Sequence, residues 1–215
     1  MEKTNNTTGK QVYNLIIVDE SGSMDAIREQ AFTGLNETIK TITAAAAEYK
    51  DIQQSITLLT FDSDHTRFVF DNVDAHKARL LKWDEYVPGA CTPLYDAIGR
   101  GISKVNAQCQ QDDNVLVTII TDGYENASRE YTLKMVNTLI EKLKKQGWTF
   151  TFIGTNNLDV EEVAKRLSIG NYLSFEEDAD GTAEMFNCEI NARRAYYSRR
   201  ANDIDESEDN YFNKN

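Results

Sequence analysis

Two stretches of this sequence are apolar at almost every position, residues 15–18 (LIIV) and 115–121 (VLVTIIT), and each runs directly into an aspartate, Asp19 and Asp122. Runs this short, rich in β-branched residues and closed by SGS or DG turn signals, read as buried strands and not as helix segments. The first strand extends back to Val12. The period then changes: residues 24–49 carry Ile27, Ala31, Leu35, Ile39 and Ile42 three or four apart, the spacing of one helix face. Strand, short polar loop and helix follow one another, and that alternation specifies a layered α/β domain.

The next two apolar runs, SITLLTF (55–61) and TRFVF (66–70), are separated only by DSDH, too short for the crossover that a parallel pair requires. They are expected as an antiparallel hairpin, the second run being an edge strand. A long connection over 71–92 contains Pro88 and Gly89 and reads as irregular backbone. Pro93 suits the first turn of a helix, where its missing N–H is no loss, and Leu94, Ile98, Ile102, Val105 and Cys109 continue as a stripe. Beyond it the pattern predicts a helix over 131–146, with Leu133, Val136, Leu139, Ile140 and Leu143 inward, and a strand over 148–154. A short helix over 160–167, a strand over 171–175 and a last helix over 179–201 follow, the last with Ala183, Phe186, Ile190 and Tyr197 on one side. The expected fold is a Rossmann-like three-layer sandwich: about six strands in a mostly parallel sheet of order 3-2-1-4-5-6, one antiparallel edge strand, and helices on both faces. Residues 1–11 read as a polar extension, 12–201 as the domain, and 202–215, acidic and without periodicity, as a disordered tail.

A length of 215 residues suits one such domain. The opening MEKTNNTTGKQ lacks the charged-then-apolar layout of a signal peptide, and no apolar run approaches the roughly 20 residues that span a bilayer. A cytoplasmic location is expected. Cys91, Cys109 and Cys188 are odd in number and far apart, which argues against a disulfide framework or a CxxC metal clip. They read as reduced thiols, at least two of them buried. A formal charge of −12 argues against nucleic acid or an anionic membrane as the main partner, since both would be repelled.

In the order 3-2-1-4-5-6 the first and fourth strands are neighbours, so Asp19 and Asp122 meet at the carboxyl edge, where ligands bind in such sheets. Ser21 and Ser23 follow Asp19 at steps of two, and the loop carrying Thr92 can reach the same edge. Two carboxylates and three hydroxyls, with no histidine or cysteine ligand beside them, form an all-oxygen set suited to a hard divalent cation, Mg²⁺ first and Mn²⁺ or Ca²⁺ after it. Thr92 has a second reading, because a threonine just before a helix can cap it.

The residues DESGS, the threonine of CTPLYDAI and the aspartate of ITDG together resemble the metal-ion-dependent adhesion site of von Willebrand factor type A domains, DxSxS with a distant Thr and Asp. The resemblance runs from about Val12 to at least Phe175, and all five positions are filled. It implies that Ser21, Ser23 and Thr92 ligate directly, with Asp19 and Asp122 direct or through water. It also implies metal-dependent protein binding and no catalysis, the partner offering an Asp or Glu to the cation. Without a signal peptide or cysteine framework, the chain is more similar to intracellular bacterial members, some of which work beside AAA-type ATPases or in stress systems. No GxxxxGKS/T motif is present, so any such ATPase would be a separate chain.

Other readings compete. Asp19 could accept a phosphoryl group with Asp122 helping to hold Mg²⁺, as in a phosphohydrolase or phosphoacceptor on a similar sheet; Glu20 and Asp25 are the acids nearby, but the paired serines are better explained as ligands. A metal-independent structural scaffold is a third reading. His65 and His76 read as surface histidines, Cys91 as a small packed residue, and Asp62 as a turn or supporting residue. Tyr124, Glu125, Asn126, Tyr95 and Asp96 could shape a partner surface or serve as helix caps.

Overall fold

The computed structural model describes residues 10–111, 113–202, 204 and 211–212. Most of the expected 1–11 extension and most of the 202–215 tail lie outside them. The sheet has six strands in the order β3-β2-β1-β4-β5-β6. They are β1 (Lys10–Asp19), β2 (Ile52–Phe61), β3 (Thr66–Asp74), β4 (Asn114–Thr121), β5 (Trp148–Thr155) and β6 (Asn171–Phe175). All neighbours pair in parallel except β2 and β3, the expected hairpin, which leaves β3 on an edge.

Among the described residues five α-helices cover the sheet: α1 (Arg28–Glu48), α2 (Leu94–Asn106), α3 (Leu133–Lys144), α4 (Val160–Arg166) and α5 (Ala179–Ala201). Successive side chains of a strand point to opposite faces, and β1 shows the result. Val12, Ile16 and Val18 pack in the core layer with Leu35, Ile39 and Ile42 of α1 and Phe186 and Tyr197 of α5. Leu15 and Ile17 pack in the other, with Ile98 and Ile102 of α2 and Val136 and Ile140 of α3. Both faces of the central strands are therefore dry, which is why their sequences are continuously apolar.

Three local expectations change. The 24–49 stretch is not one helix: Gly22–Ile27 forms a tighter 3-10 segment before α1 begins at Arg28. At least two cysteines were expected to be buried, yet Cys91 is exposed and Cys109 and Cys188 are half-buried. Cys91 is thus no small packed residue, because its loop runs over the sheet edge and not through the core.

The third change concerns α5. Phe186, Ile190 and Tyr197 face inward as expected, but Ala183 is exposed, and Glu189 and Arg193 are buried with them. Arg193 donates from Nε to Glu189 Oε1 at 2.8 Å, from Nη1 to Asn14 Oδ1 of β1 at 3.0 Å, and from Nη2 to Thr118 Oγ1 of β4 at 2.7 Å. Tyr197 Oη donates to Asn14 Oδ1 at 2.6 Å, and Tyr211 Oη donates to Glu189 Oε1 at 3.1 Å. Tyr211 itself is buried, and its backbone N–H donates to Asn171 Oδ1 at the start of β6. Charged residues at i and i+4 of a helix ordinarily signal a solvated face, and only their exact partners on the sheet make burial tolerable. Arg193→Met is expected to cost about 3–5 kcal/mol in denaturant unfolding because it strands Glu189, while the double change with Glu189→Leu recovers most of that loss. A cost below about 1 kcal/mol would show that the pair does not anchor α5.

Candidate functional site

The register of the two central strands builds the site. Val18 of β1 lies opposite Ile120 of β4, so Asp19 falls beside Thr121, and Asp122 comes one step further along the same edge. Thr121 Oγ1 donates to Asp19 Oδ2 at 2.5 Å. The chain then turns tightly, with the Ser21 N–H donating to Asp19 Oδ1 at 2.7 Å. That turn aims the serine hydroxyls across to β4. Ser23 Oγ donates to Asp122 Oδ1 at 2.7 Å, and the Ser21 and Ser23 hydroxyl oxygens are 3.3 Å apart. Asp19, Ser21, Thr92 and Asp122 are buried and Ser23 is exposed, so the cluster opens to solvent on one side.

Thr92 joins them from the third segment. Pro93, not Thr92, precedes the first residue of α2, and no side chain caps the helix there. The capping alternative for Thr92 is thereby removed. Asn126 instead fixes the Thr92 backbone from both sides, its Oδ1 accepting the Thr92 N–H at 2.9 Å and its own N–H donating to the Thr92 carbonyl at 3.1 Å. Gly123 is where the groups converge: a Cβ there would stand 3.1 Å from Thr92 Oγ1 and 3.9 Å from Asp19 Oδ2. A side chain at 123 would crowd the threonine.

The loop of Thr92 is strapped to the loop of Asp19 through Glu20, which the sequence marks only as an acid nearby. Glu20 is fully buried, and its Oε1 accepts from Arg67 Nη2 at 3.0 Å and from the Val87 N–H at 2.5 Å. Its carbonyl accepts from the Gly89 N–H at 2.8 Å, the Gly22 N–H donates to the Ala90 carbonyl at 3.1 Å, and Tyr86 Oη donates to the Asp19 carbonyl at 3.0 Å. Glu20 faces Arg67, so it is committed to that strap and does not act as a second acid beside Asp19. Thr121 and Glu20 left little trace in the sequence, one being a polar residue ending an apolar run and the other lying within the DESGS motif.

Most of the flanking polar residues serve the backbone. Asp62 Oδ1 accepts from the N–H groups of Asp64 and His65, as expected of a turn residue. His65 lies in the same turn, its Nδ1 3.1 Å from that oxygen, with 43 % of its side chain exposed. Glu125 accepts from the N–H groups of Tyr95, Ala127 and Ser128, and Asp96 from those of Arg129, Glu130 and Tyr131. Tyr124 is 53 % exposed at the rim, and its Oη accepts from the Asp159 N–H at 2.9 Å.

Two carboxylates at one edge are costly to ionise together. Burial pushes Asp19 up to about 6, against the lowering effect of the hydrogen bonds from Thr121 and Ser21, and the charge of Asp122 raises it further. Burial likewise pushes Asp122 up to about 6, opposed by the Ser23 hydrogen bond and reinforced by Glu177. Asp122 Oδ2 is buried without a hydrogen-bond partner. A cation among these oxygens would satisfy that atom and offset both charges, so the residues fit the ligand their chemistry suggests. Among the described residues no group of three or more His, Cys, Asp or Glu side chains is arranged to hold a metal. The candidate set is of another kind, two carboxylates with three hydroxyls.

Comparison with known proteins places the geometry in context. A search of curated proteins finds no significant match. Among solved structures, the chain is similar to the vWF domain of the type V pili tip protein Mfa5 from Porphyromonas gingivalis, with TM-score 0.62 and 11 % identity over 93 % of this chain and 98 % of that one. It is also similar to the PilB minor pilin from Streptococcus sanguinis, with TM-score 0.58 and 14 % identity over 91 % of this chain and 62 % of that one. The pilus adhesin SpaC from Lactobacillus rhamnosus GG gives TM-score 0.59 and 15 % identity over 92 % of this chain and only 31 % of its own. The chain thus spans less than two thirds of the pilin and about a third of the adhesin, and at these identities the likeness speaks for the fold. The family model of the von Willebrand factor type A domain matches residues 15–187, from β1 through the first third of α5. With the six-stranded order, a matched span that takes in the second half of β1 and all of the other five strands, and the edge cluster where this architecture binds ligands, the chain belongs to the von Willebrand factor type A domain family.

Proposed function

We propose that the chain is a metal-dependent protein-binding module in which Asp19, Ser21, Ser23, Thr92 and Asp122 hold a divalent cation, Mg²⁺ first, with Mn²⁺ or Ca²⁺ as alternatives. The observation that carries this reading is Asp122 Oδ2, a buried carboxylate oxygen without a partner, set among hydroxyls and beside a second buried carboxylate. A cation held there would supply an electrophilic position that a carboxylate oxygen of a partner's Asp or Glu can fill. The protein's own residues do the rest. Three neutral hydroxyls keep the donor charge low, Thr121 and the Ser21 N–H fix the Asp19 carboxylate, and the Glu20 and Asn126 straps hold the Thr92 loop over the edge. Binding and not catalysis is the proposed role, because the Ser23 and Thr121 hydroxyls are turned onto the Asp122 and Asp19 carboxylates and fix them as ligands.

We place the protein in the cytoplasm on the same footing. Three free thiols support that setting, and no helix among the described residues is long and apolar enough to cross a membrane. The pilus proteins share the fold, and their role in pili is said of them alone. The partner is a separate protein, an AAA-type ATPase or a component of a stress system being the classes the family resemblance suggests.

Titration calorimetry with Mg²⁺ or Mn²⁺ is expected to show binding that Asp19→Ala and Asp122→Ala abolish while circular dichroism stays unchanged. Equal heats from the variants would remove the site assignment. The pH dependence has a definite sign. A carboxyl whose folded pKa is raised contributes stability that is present below the usual range near 3.9 and is lost as pH rises through about 6. In chelator the protein should therefore lose up to about 2–3 kcal/mol between pH 4 and pH 7.5 through Asp19, and Asp19→Asn should flatten that slope. Added cation should act in the opposite sense, stabilising more at pH 7.5 than at pH 5, because it must displace the protons. A cation effect independent of pH would count against direct ligation by these carboxylates.

A further inference from the structure

Leu80, Trp83 and Val87 are 45 %, 48 % and 48 % exposed, and together they are half of the large hydrophobic side chains exposed among the described residues. All three belong to one short part of the connection between β3 and α2. Scattered single exposures need no explanation, but three in one fixed segment do.

The segment is held firmly. Leu81 between them is buried, and Asn36 of α1 clamps its backbone from both sides, Oδ1 accepting its N–H at 2.7 Å and Nδ2 donating to its carbonyl at 3.3 Å. Arg28 donates to the carbonyls of Tyr86 and Trp83 at 2.9 and 3.1 Å. The Trp83 ring meets Phe32 edge-on at 5.1 Å, and the Arg28 guanidinium lies 4.1 Å from its centroid. Apolar groups fixed in advance lose little entropy when a partner covers them.

The charge around them is opposite to that of the chain. Residues 76–83, HKARLLKW, contain Lys77, Arg79 and Lys82 and no acid, in a protein of formal charge −12. Asp74 pairs with Lys77 at 3.7 Å and Glu85 with Arg79 at 2.6 Å, and Asp84 follows; with Arg28 included, four cations stand against three acids and the patch keeps a small positive balance. The same segment runs on into the loop tied to the candidate site, the Val87 N–H donating to the Glu20 carboxylate, the Gly89 N–H to the Glu20 carbonyl and the Gly22 N–H to the Ala90 carbonyl.

We propose that the ridge of Leu80, Trp83 and Val87 is a second contact surface for the same partner, built to take an acidic protein segment that carries a large apolar side chain. The proposal rests on the binding reading above and adds the partner's character: its liganding Asp or Glu lies in a stretch with further acids and an apolar anchor. The anchor packs on Trp83, and the acids face Lys82 and Arg28. Aromatic and arginine side chains of this kind carry a disproportionate share of binding energy at interfaces.

The test uses the full chain with Mg²⁺ and random peptides displayed on phage. Enriched peptides are synthesised and titrated against the wild type, Trp83→Ala, Lys82→Glu and Asp122→Ala, with folding of each checked by circular dichroism. The expected result is enrichment of sequences combining Asp or Glu with a Leu, Ile, Phe or Trp, whose affinity falls at least about tenfold in Trp83→Ala and in Lys82→Glu. Trp83→Phe should retain most of the affinity. Peptides without acidic bias, binding within twofold of wild type in both ridge variants, or no enriched peptide would overturn the proposal. Loss on chelation and in Asp122→Ala with both ridge variants unaffected would reject the ridge and leave the cation reading standing. Loss in the ridge variants with no response to chelator or to Asp122→Ala would uphold the ridge and reject the cation reading.

Discussion

Everything at the functional edge depends on the parallel pairing of β1 with β4. Residues separated by about a hundred positions in sequence become neighbours only because these strands run side by side in a fixed register, Val18 against Ile120. A slip of one residue would turn every side chain of β1 to the other face and carry the aspartate away from Thr121. Burial on both faces prevents that slip, because it would place Asn14 among the apolar residues of the opposite layer. The core therefore specifies the site as directly as the polar residues do.

The apolar code of the fold was legible because it is local and periodic. Continuous runs ending at Asp19 and Asp122, helical stripes such as Leu94, Ile98 and Ile102, and the four-residue DSDH turn each state their element without outside help, and the strand order followed from chaining them. Polar groups whose meaning depends on distant partners were not legible. Arg193 and Glu189 look like a solvated helix pair until Asn14 and Thr118 are seen opposite them. Ala183, apolar and at the right spacing, reads as inward for the same reason that Arg193 does not.

At the site the division is similar. The five candidate residues could be listed from motif spacing, and the structure brings four of them into one hydrogen-bonded cluster, with Thr92 converging on it at Gly123. What the spacing could not supply is how they are kept there. Thr121 owes its role to strand register, Glu20 to an arginine on the hairpin, and Asn126 to a loop that follows a different strand. Thr92 was open to two meanings in the sequence because the helix boundary was uncertain by one residue, and that residue decided the matter.

The buried arginine has a consequence for how the chain comes to be folded. Its partners Asn14 and Thr118 are made before Arg193, and Tyr211 of the same network after it. Until α5 covers that face, Asn14 and Thr118 can bond water, and α5 must bring Arg193 as their replacement partner as it excludes that water. The last helix therefore completes the core. Contacts of this sequence separation make folding slow and leave an interval in which the uncovered face is open to wrong associations. α5 is thus the element that closes the core, and it becomes available only after every strand it covers.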